Sequence, residues 1–342
     1  MRYKPLPMSE LPRIALVHGP TPLVKRPALD EWLGVDLWIK RDDASGGAEA
    51  GNKVRKLEWL LADAMLRKAD TIVTCGGLQS NHARATALAS ASLGLGCALL
   101  LRSGEPRGGA LPLTGNVLLD RIAGAEIRLV SPQDYAHRAA AMEELAAELR
   151  GRGRRPYIVP EGGSNGLGAL GYVECMREVA HQLRLGLAGR NEPFDAVVHA
   201  CGSGGTAAGV ALGAARFGVT RTVLAMAVCD DRAFFENAIA RIVGEARSWD
   251  PALTDTASVV VDDSSRGPAY GVSSADQRAT IVRVARAGGL VLDPVYSGKA
   301  MHGLKAAIER GSVRRDARVL FIHTGGLPGL LAQGDDFREE IA

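Results

Sequence analysis

The chain has no run approaching the roughly 18 consecutive apolar residues that a bilayer-spanning helix needs. Its opening stretch, Met-Arg-Tyr-Lys-Pro-Leu-Pro, has no long apolar segment behind its basic residues. Neither a membrane span nor a secretory leader is expected, and a cytoplasmic protein is. Cysteine is sparse: Cys75, Cys97, Cys175, Cys201 and Cys229 are odd in number, scattered and without a Cys-x-x-Cys pair. That pattern suits reduced thiols in or near strands and argues against a disulfide framework or a structural zinc site, so no metal is expected. A charge bias is missing as well. The 41 basic and 38 acidic side chains leave a net +3, too even for nucleic acid or an anionic membrane to be the main partner, so any anion is bound locally. There is no internal repeat and no low-complexity linker. What the chain does have is length and core material: 342 residues, 46% hydrophobic and 23% charged, enough for two domains or one large one with a buried site.

Strand patterns at Asp36–Lys40, Thr71–Cys75, Cys97–Leu101, Glu126–Val130 and Tyr157–Val159 alternate with Ala/Leu-rich helical stretches. A second series, near Ala196–Ala200, Val223–Val228, Ser258–Val261 and Arg318–His323, follows the Gly-rich segment Glu161–Gly171. Such alternation predicts an α/β fold of largely parallel, open twisted sheets with helices on both faces. With no tether between the two series, the two sheets are expected to share an interface, with boundaries near Lys53 and Glu161. The expected division is a large domain of residues 1–53 plus 163–342, with a small domain of residues 54–162 inserted in it. Ligands of such folds sit beyond the carboxyl ends of strands, so the loops that follow strands hold the chemistry, in the cleft between the domains.

The stretch Gly51-Asn52-Lys53-Val54-Arg55-Lys56-Leu57-Glu58 puts Lys53 behind a Gly-Asn bend, at the first turn of a helix marked by Val54, Leu57, Leu61 and Ala64. The positive end of a helix disfavours the ammonium form, and a neutral amine can attack a carbonyl to form a Schiff base. Taken alone, the segment reads more simply as a helix start with a solvated lysine. In Gly76-Gly77-Leu78-Gln79-Ser80-Asn81-His82, two glycines permit a tight turn and Ser80 or Asn81 caps the next helix. The amides of Ser80, Asn81 and His82 would then converge on a spot suited to a small carboxylate; a plain N-cap is the simpler alternative, and His82 reads as a helix-face residue. The loop Cys201-Gly202-Ser203-Gly204-Gly205-Thr206 opens another helix, lets the backbone approach closely and adds two hydroxyls, which suits a phosphate. Gly202, Gly204 and Ala207 also fit a dinucleotide pattern, with Asp230 or Asp231 ending the next strand, so an NAD-dependent oxidoreductase stays open on this loop. Glu161-Gly162-Gly163-Ser164-Asn165 either adds contacts from Ser164 to the same cleft or is a flexible connection. Two of the six tyrosines, Tyr270 and Tyr296, lie in loops bounded by Pro and Gly, and Thr324 stands in His323-Thr324-Gly325-Gly326. There a hydroxyl can meet a heterocyclic nitrogen while the glycines leave room for a flat ring.

Together with Thr21-Pro22-Leu23, Lys40-Arg41-Asp42-Asp43 and Asp293-Pro294-Val295-Tyr296, these motifs in this order resemble the 1-aminocyclopropane-1-carboxylate deaminase and D-cysteine desulfhydrase family of pyridoxal-phosphate enzymes. The resemblance covers nearly the whole chain and implies the tryptophan synthase β-like fold, fold type II of pyridoxal 5'-phosphate enzymes. It further implies that Lys53 carries the cofactor through a Schiff base and that Gly202, Ser203, Gly204, Gly205 and Thr206 hold its phosphate. Asn81 would contact the ring hydroxyl and Thr324 the ring nitrogen. Ser80 with its neighbours Asn81 and His82 would receive the substrate carboxylate, Ser164 would add to that cleft, and Tyr270 and Tyr296 would flank the substrate. Lys53, Ser80, Tyr270 and Tyr296 are the implied catalytic set, and a homodimer is the implied assembly. The ring-opening deaminases resemble one another in a glutamate directly after the second tyrosine, where it would stand beside the ring nitrogen. This chain has Ser297 there, which points to the desulfhydrase branch: a carbon-sulfur lyase taking D-cysteine to pyruvate, hydrogen sulfide and ammonia. Expulsion of sulfite from L-cysteate and opening of the cyclopropane remain alternatives within the family. Outside it stand the oxidoreductase and a cofactor- or amino-acid-binding protein without turnover.

Overall fold

The computed structural model describes residues 7–104 and 111–342; the first six residues, read above for a leader, lie outside them. Ten strands run Leu23–Lys25 (β1), Asp36–Arg41 (β2), Thr71–Gly77 (β3), Gly96–Arg102 (β4), Glu126–Val130 (β5), Pro156–Ile158 (β6), Ala196–Cys201 (β7), Thr222–Ala227 (β8), Ser258–Asp262 (β9) and Arg318–His323 (β10). The helices are Pro27–Leu33 (α1), Asn52–Leu66 (α2), Asn81–Ser92 (α3), Gly115–Ile122 (α4), Pro132–Ala136 (α5), Arg138–Gly151 (α6), Gly166–Arg184 (α7), Gly205–Phe217 (α8), Arg232–Trp249 (α9), Ala275–Gly288 (α10), Ser297–Glu309 (α11), Leu327–Leu331 (α12) and Arg338–Ile341 (α13). None of the described helices is long and apolar enough to cross a membrane.

Two sheets result, one ordered β1-β2-β10-β7-β8-β9 and the other β5-β4-β3-β6. Every pairing is parallel except β1 against β2, where Val24 lies opposite Ile39. The chain is thus a two-domain α/β protein with parallel-rich sheets. The central strands β3, β7 and β10 are buried along their whole length, which is why each reads as a continuous apolar run and not as an alternating one. β1 escapes a sequence reading because three residues carry no periodicity; it exists through its partner.

The expected helix after Gly51 is α2, but it is buried all round: besides Val54, Leu57, Leu61 and Ala64 it buries Lys53, Arg55, Lys56 and Glu58. Its surroundings explain this, because α2 packs on α7 from one side and on α3 from the other. Most of its buried charges are matched. Arg55 donates from Nε and Nη2 to the two Asp42 oxygens at 2.8 Å each and from Nη1 to Glu178 at 3.1 Å. Asp42 also accepts from Tyr172 at 2.7 Å and from Thr21 at 2.9 Å, and Lys40 pairs with Glu178. Glu58 accepts the amides of Leu16 and Val17 at 2.9 Å. The motif Lys40-Arg41-Asp42-Asp43 is therefore, through Lys40 and Asp42, part of the ionic bed on which α2 lies.

Candidate active site

The loop leaving β7 shows why it is so rich in glycine. Gly204 sits at φ +81°, where a side chain is strained. A Cβ at Gly202 would come within 2.9 Å of the Tyr296 ring, and one at Gly205 within 2.7 Å of the Ser164 hydroxyl and 2.9 Å of the Lys56 amine. The loop feeds the N-terminus of α8, a helix of 13 residues, so its free amides and the helix dipole favour an anion. Asn52, Lys53, Asn81, Ala200–Gly204, Thr206, Ala207, Tyr296 and Thr324 line one cavity at this point, about 400 Å³ including its solvent-open mouth.

The Gly-Asn bend closes this cavity from the other side. Gly51 has φ +125°, and a Cβ there would lie 2.9 Å from the Thr324 carbonyl. The Asn52 amide donates to that carbonyl at 3.1 Å, while its side-chain nitrogen donates to Thr206 Oγ1 at 3.2 Å. The bend thus ties the start of α2 to both the β10 exit and the phosphate-suited loop. Lys53 follows at once, only 9% exposed. Burial pushes its amine down to about 8, against the opposing pull of Glu161, Cys201 and Asp293. Its Nζ lies 5.9 Å from the centre of the Tyr296 ring. One turn on, Lys56 is buried behind the loop, donating to the Gly162 carbonyl at 3.1 Å and to Ser164 Oγ at 3.3 Å. Ser164 in turn shares a hydrogen bond with Ser203 at 2.7 Å. Ser164 therefore backs the loop without lining the cavity.

On the β3 side the outcome is mixed. Ser80 is the N-cap of α3, its hydroxyl accepting from the Ala83 amide at 3.2 Å, and Gly76 must be glycine because a Cβ would lie 2.4 Å from that hydroxyl. The expectation of three convergent amides needs correction: the Ser80 amide donates to the Gly77 carbonyl at 3.0 Å and so is used in the turn. Asn81 does line the cavity, with its Oδ1 held by Asn116 Nδ2 at 3.1 Å. His82 is buried behind the loop against Thr74 Oγ1 at 2.9 Å. Since that hydroxyl donates to the Val159 carbonyl at 2.8 Å, it accepts from His82 Nε2. Burial together with Lys53 and Lys56 holds this imidazole well below its usual pKa.

Tyr270 and Tyr296, 26 positions apart, meet hydroxyl to hydroxyl at 2.7 Å with their rings edge to face. Burial raises both phenols, Tyr270 to about 12. The turn before Tyr296 is organised by Asp293, whose carboxylate accepts from the amides of Val295, Tyr296 and Ser297 at 3.1, 3.0 and 2.7 Å and from Ser297 Oγ at 2.6 Å. Ser297 is fully buried and spent on this turn. The picture of position 297 as one that faces a ring nitrogen therefore does not hold for this serine. Thr324, by contrast, lines the cavity. Three residues important to the geometry carried no role in the sequence reading. Asn52 was visible only as half of a bend, Asp293 as a turn residue, and Cys201, buried among the cavity walls, as a reduced thiol. The dinucleotide reading finds no support here, because Asp231 caps α9 by accepting from the Phe234 amide at 2.9 Å and Asp230 accepts from Cys229 at 3.2 Å.

Residues 14–325 match the family model described as pyridoxal-phosphate dependent enzyme. The chain is 40% identical over 338 residues, 97% of its length and 82% of the relative's, to the mitochondrial bifunctional D-cysteine desulfhydrase/1-aminocyclopropane-1-carboxylate deaminase of Arabidopsis thaliana. It is 40% identical over 326 residues to a D-cysteine desulfhydrase of Serratia proteamaculans, covering 95% of this chain and 97% of that one. A crystal structure described as an ACC deaminase homologue superimposes with a TM-score of 0.85 at 35% identity, covering 97% of each chain.

Proposed function

Because this chain belongs to the family of pyridoxal-phosphate-dependent enzymes, we propose that it is a lyase removing the β-substituent of a small amino acid, with D-cysteine as its substrate and pyruvate, hydrogen sulfide and ammonia as products. The observation that carries this reading is the buried Lys53 amine, pushed down to about 8, in a cavity shared with a helix-opening glycine loop. The desulfhydrase relative supports the substrate.

The residues present fit the cofactor. Gly202–Thr206 form a cradle that a side chain at Gly202 would crowd against Tyr296, suited to its phosphate, and Lys53 offers an amine for its aldehyde. Asn81 and Thr324 are the proposed contacts of its ring. When bound, pyridoxal phosphate supplies an electron sink for the charge left on the α-carbon. Lys53 Nζ, neutral in a useful fraction near pH 8, is the proposed base that takes the α-proton. Ser80 and Asn81, at the start of α3, orient the substrate carboxylate, with His82 behind them and Ser164 backing the glycine loop through Ser203. One phenol of the hydrogen-bonded Tyr270–Tyr296 pair can deliver its proton to the departing thiolate; Asp293 sets the turn that presents Tyr296.

The same reading divides the chain into residues 1–53 plus 163–342 and an inserted unit of residues 54–162, the site lying in the cleft between. The four-stranded sheet, drawn wholly from residues 71–158, supports that division. We propose further a homodimer acting in the cytoplasm; the five free cysteines suit a reducing compartment. Light scattering on the purified protein tests the assembly. The reaction is tested by comparing D-cysteine, L-cysteine, L-cysteate and 1-aminocyclopropane-1-carboxylate at one enzyme concentration, following pyruvate and 2-oxobutyrate. Pyruvate from D-cysteine in preference to the rest is the expected result. Preferred cysteate turnover would overturn the substrate, and 2-oxobutyrate from the cyclopropane would overturn the branch.

A further inference from the structure

Arg102 ends β4, directly beside Gly77 in the register of the four-stranded sheet. It is half-buried, yet among the described residues no carboxylate stands within ion-pair reach of it. Its guanidinium lies instead between two aromatic rings, 5.2 Å from the centre of Tyr135 and 5.4 Å from that of Tyr270. Tyr135 is a fixed wall: buried, its hydroxyl bonded to Glu161 at 2.5 Å, with Arg138 over its ring. Tyr270 is a different matter. It belongs to a loop after β9 that α11 holds from one side through Lys299, whose ammonium donates to the carbonyls of Arg266 at 2.7 Å and Ala269 at 2.8 Å. From the other side the contacts are the bare backbone of Gly77, where a Cβ would lie 3.1 Å from the ring, and Arg102.

We infer that Arg102 is a positioning residue: by attracting the Tyr270 ring from the four-stranded sheet, it holds that ring against Gly77 and sets its hydroxyl against Tyr296. A guanidinium over an aromatic face is attracted to the ring and tolerates rotation about it far less than an aliphatic chain does. The charged and titratable groups around Tyr270 are Arg102, Glu161, Cys229 and the Tyr296 hydroxyl; of these Arg102 favours the phenolate while Glu161 and Cys229 oppose it. The effect on turnover rests on the proposed tyrosine role, whereas the effect on the loop does not.

The experiment uses the holoenzyme and a double-mutant cycle. Arg102→Met should lower kcat about fivefold with KM within about twofold, and Arg102→Lys should recover most of the loss. In a Tyr270→Phe background, Arg102→Met should add nothing. Independently of turnover, hydrogen-deuterium exchange of the segment 264–272 should rise several-fold in Arg102→Met and little in Arg102→Lys; Arg102→Gln replaces the methionine variant should that one unfold. Unchanged exchange, or equal losses of kcat in both backgrounds, would overturn the inference. If the wild type turns over none of the four amino acids, the reaction assignment fails and the exchange measurement alone decides the role of Arg102.

Discussion

Lys53 and Arg55 stand two positions apart on α2, both buried, and their surroundings treat positive charge in opposite ways. Arg55 meets Asp42 through two parallel hydrogen bonds and Glu178 through a third, and these carboxylates outweigh burial, raising its pKa well above the usual value. Lys53 meets no carboxylate within ion-pair reach among the described residues, and burial wins, bringing it down to about 8. The difference is the counter-charge. A cation buried with its partner is structural material, while one buried without a partner becomes a titratable amine at working pH.

Removing the amine breaks the comparison most strongly. Lys53→Ala should cost roughly 10³-fold or more in turnover, the range for losing a base that is also the covalent anchor. Pyruvate release measures this, and borohydride reduction with peptide mapping should find the pyridoxyl group on Lys53 of the wild type; a label on Lys56 or Lys299 would refute the assignment. On the paired side, Asp42→Ala strips Arg55 of its main partner and should destabilise the fold by about 3–5 kcal/mol, read as a lower midpoint in chemical denaturation. Its effect on kcat per folded molecule should be small.

A third change separates the two cations by their pH dependence. Lys53 is depressed from 10.5 to about 8 in the folded state, so between those values the unfolded chain binds more protons. Stability of the cofactor-free protein therefore rises with pH through that window, by about 3 kcal/mol at most, and below pH 8 the full cost of burying the ammonium persists. Lys53→Met should make the rise shallower by that share, the remainder coming from Lys56, which burial and Lys53 hold well below its usual value, and Lys299, which burial brings to about 8; a Lys53→Met curve that rises as steeply as the wild type would show that Lys53 is not a source of it. The smallest expected effect leaves both cations alone. Gly204→Val strains a residue at φ +81° and should weaken pyridoxal phosphate affinity by about tenfold, seen by absorbance titration, with turnover at saturating cofactor largely kept.

The sequence alone was enough for the strands of both sheets other than β1, because each reads as a short apolar run between loops and helical stretches, unbroken in β3, β7 and β10, which are buried on both faces. It also singled out Lys53, because a Gly-Asn bend before a periodic helix is a local signal, and Gly202, Gly204 and Gly205, because close backbone approach favours glycine there; the fold brings Lys53 and that loop to one cavity, and their roles are the ones proposed above. What it left open was decided by neighbours far away in the chain. Lys40 and Asp42 read as a motif without a task until Arg55 and Glu178 arrived beside them. Position 297 read as one beside a ring nitrogen until Asp293 took the Ser297 hydroxyl, and the Ser80 amide read as a ligand until the Gly77 carbonyl took it. Tyr270 and Tyr296 became a pair only when the loop after β9 folded onto the start of α11. Local geometry is written in the order of residues, but whether a buried polar atom faces a ligand or another part of the protein depends on which segments the two sheets bring together.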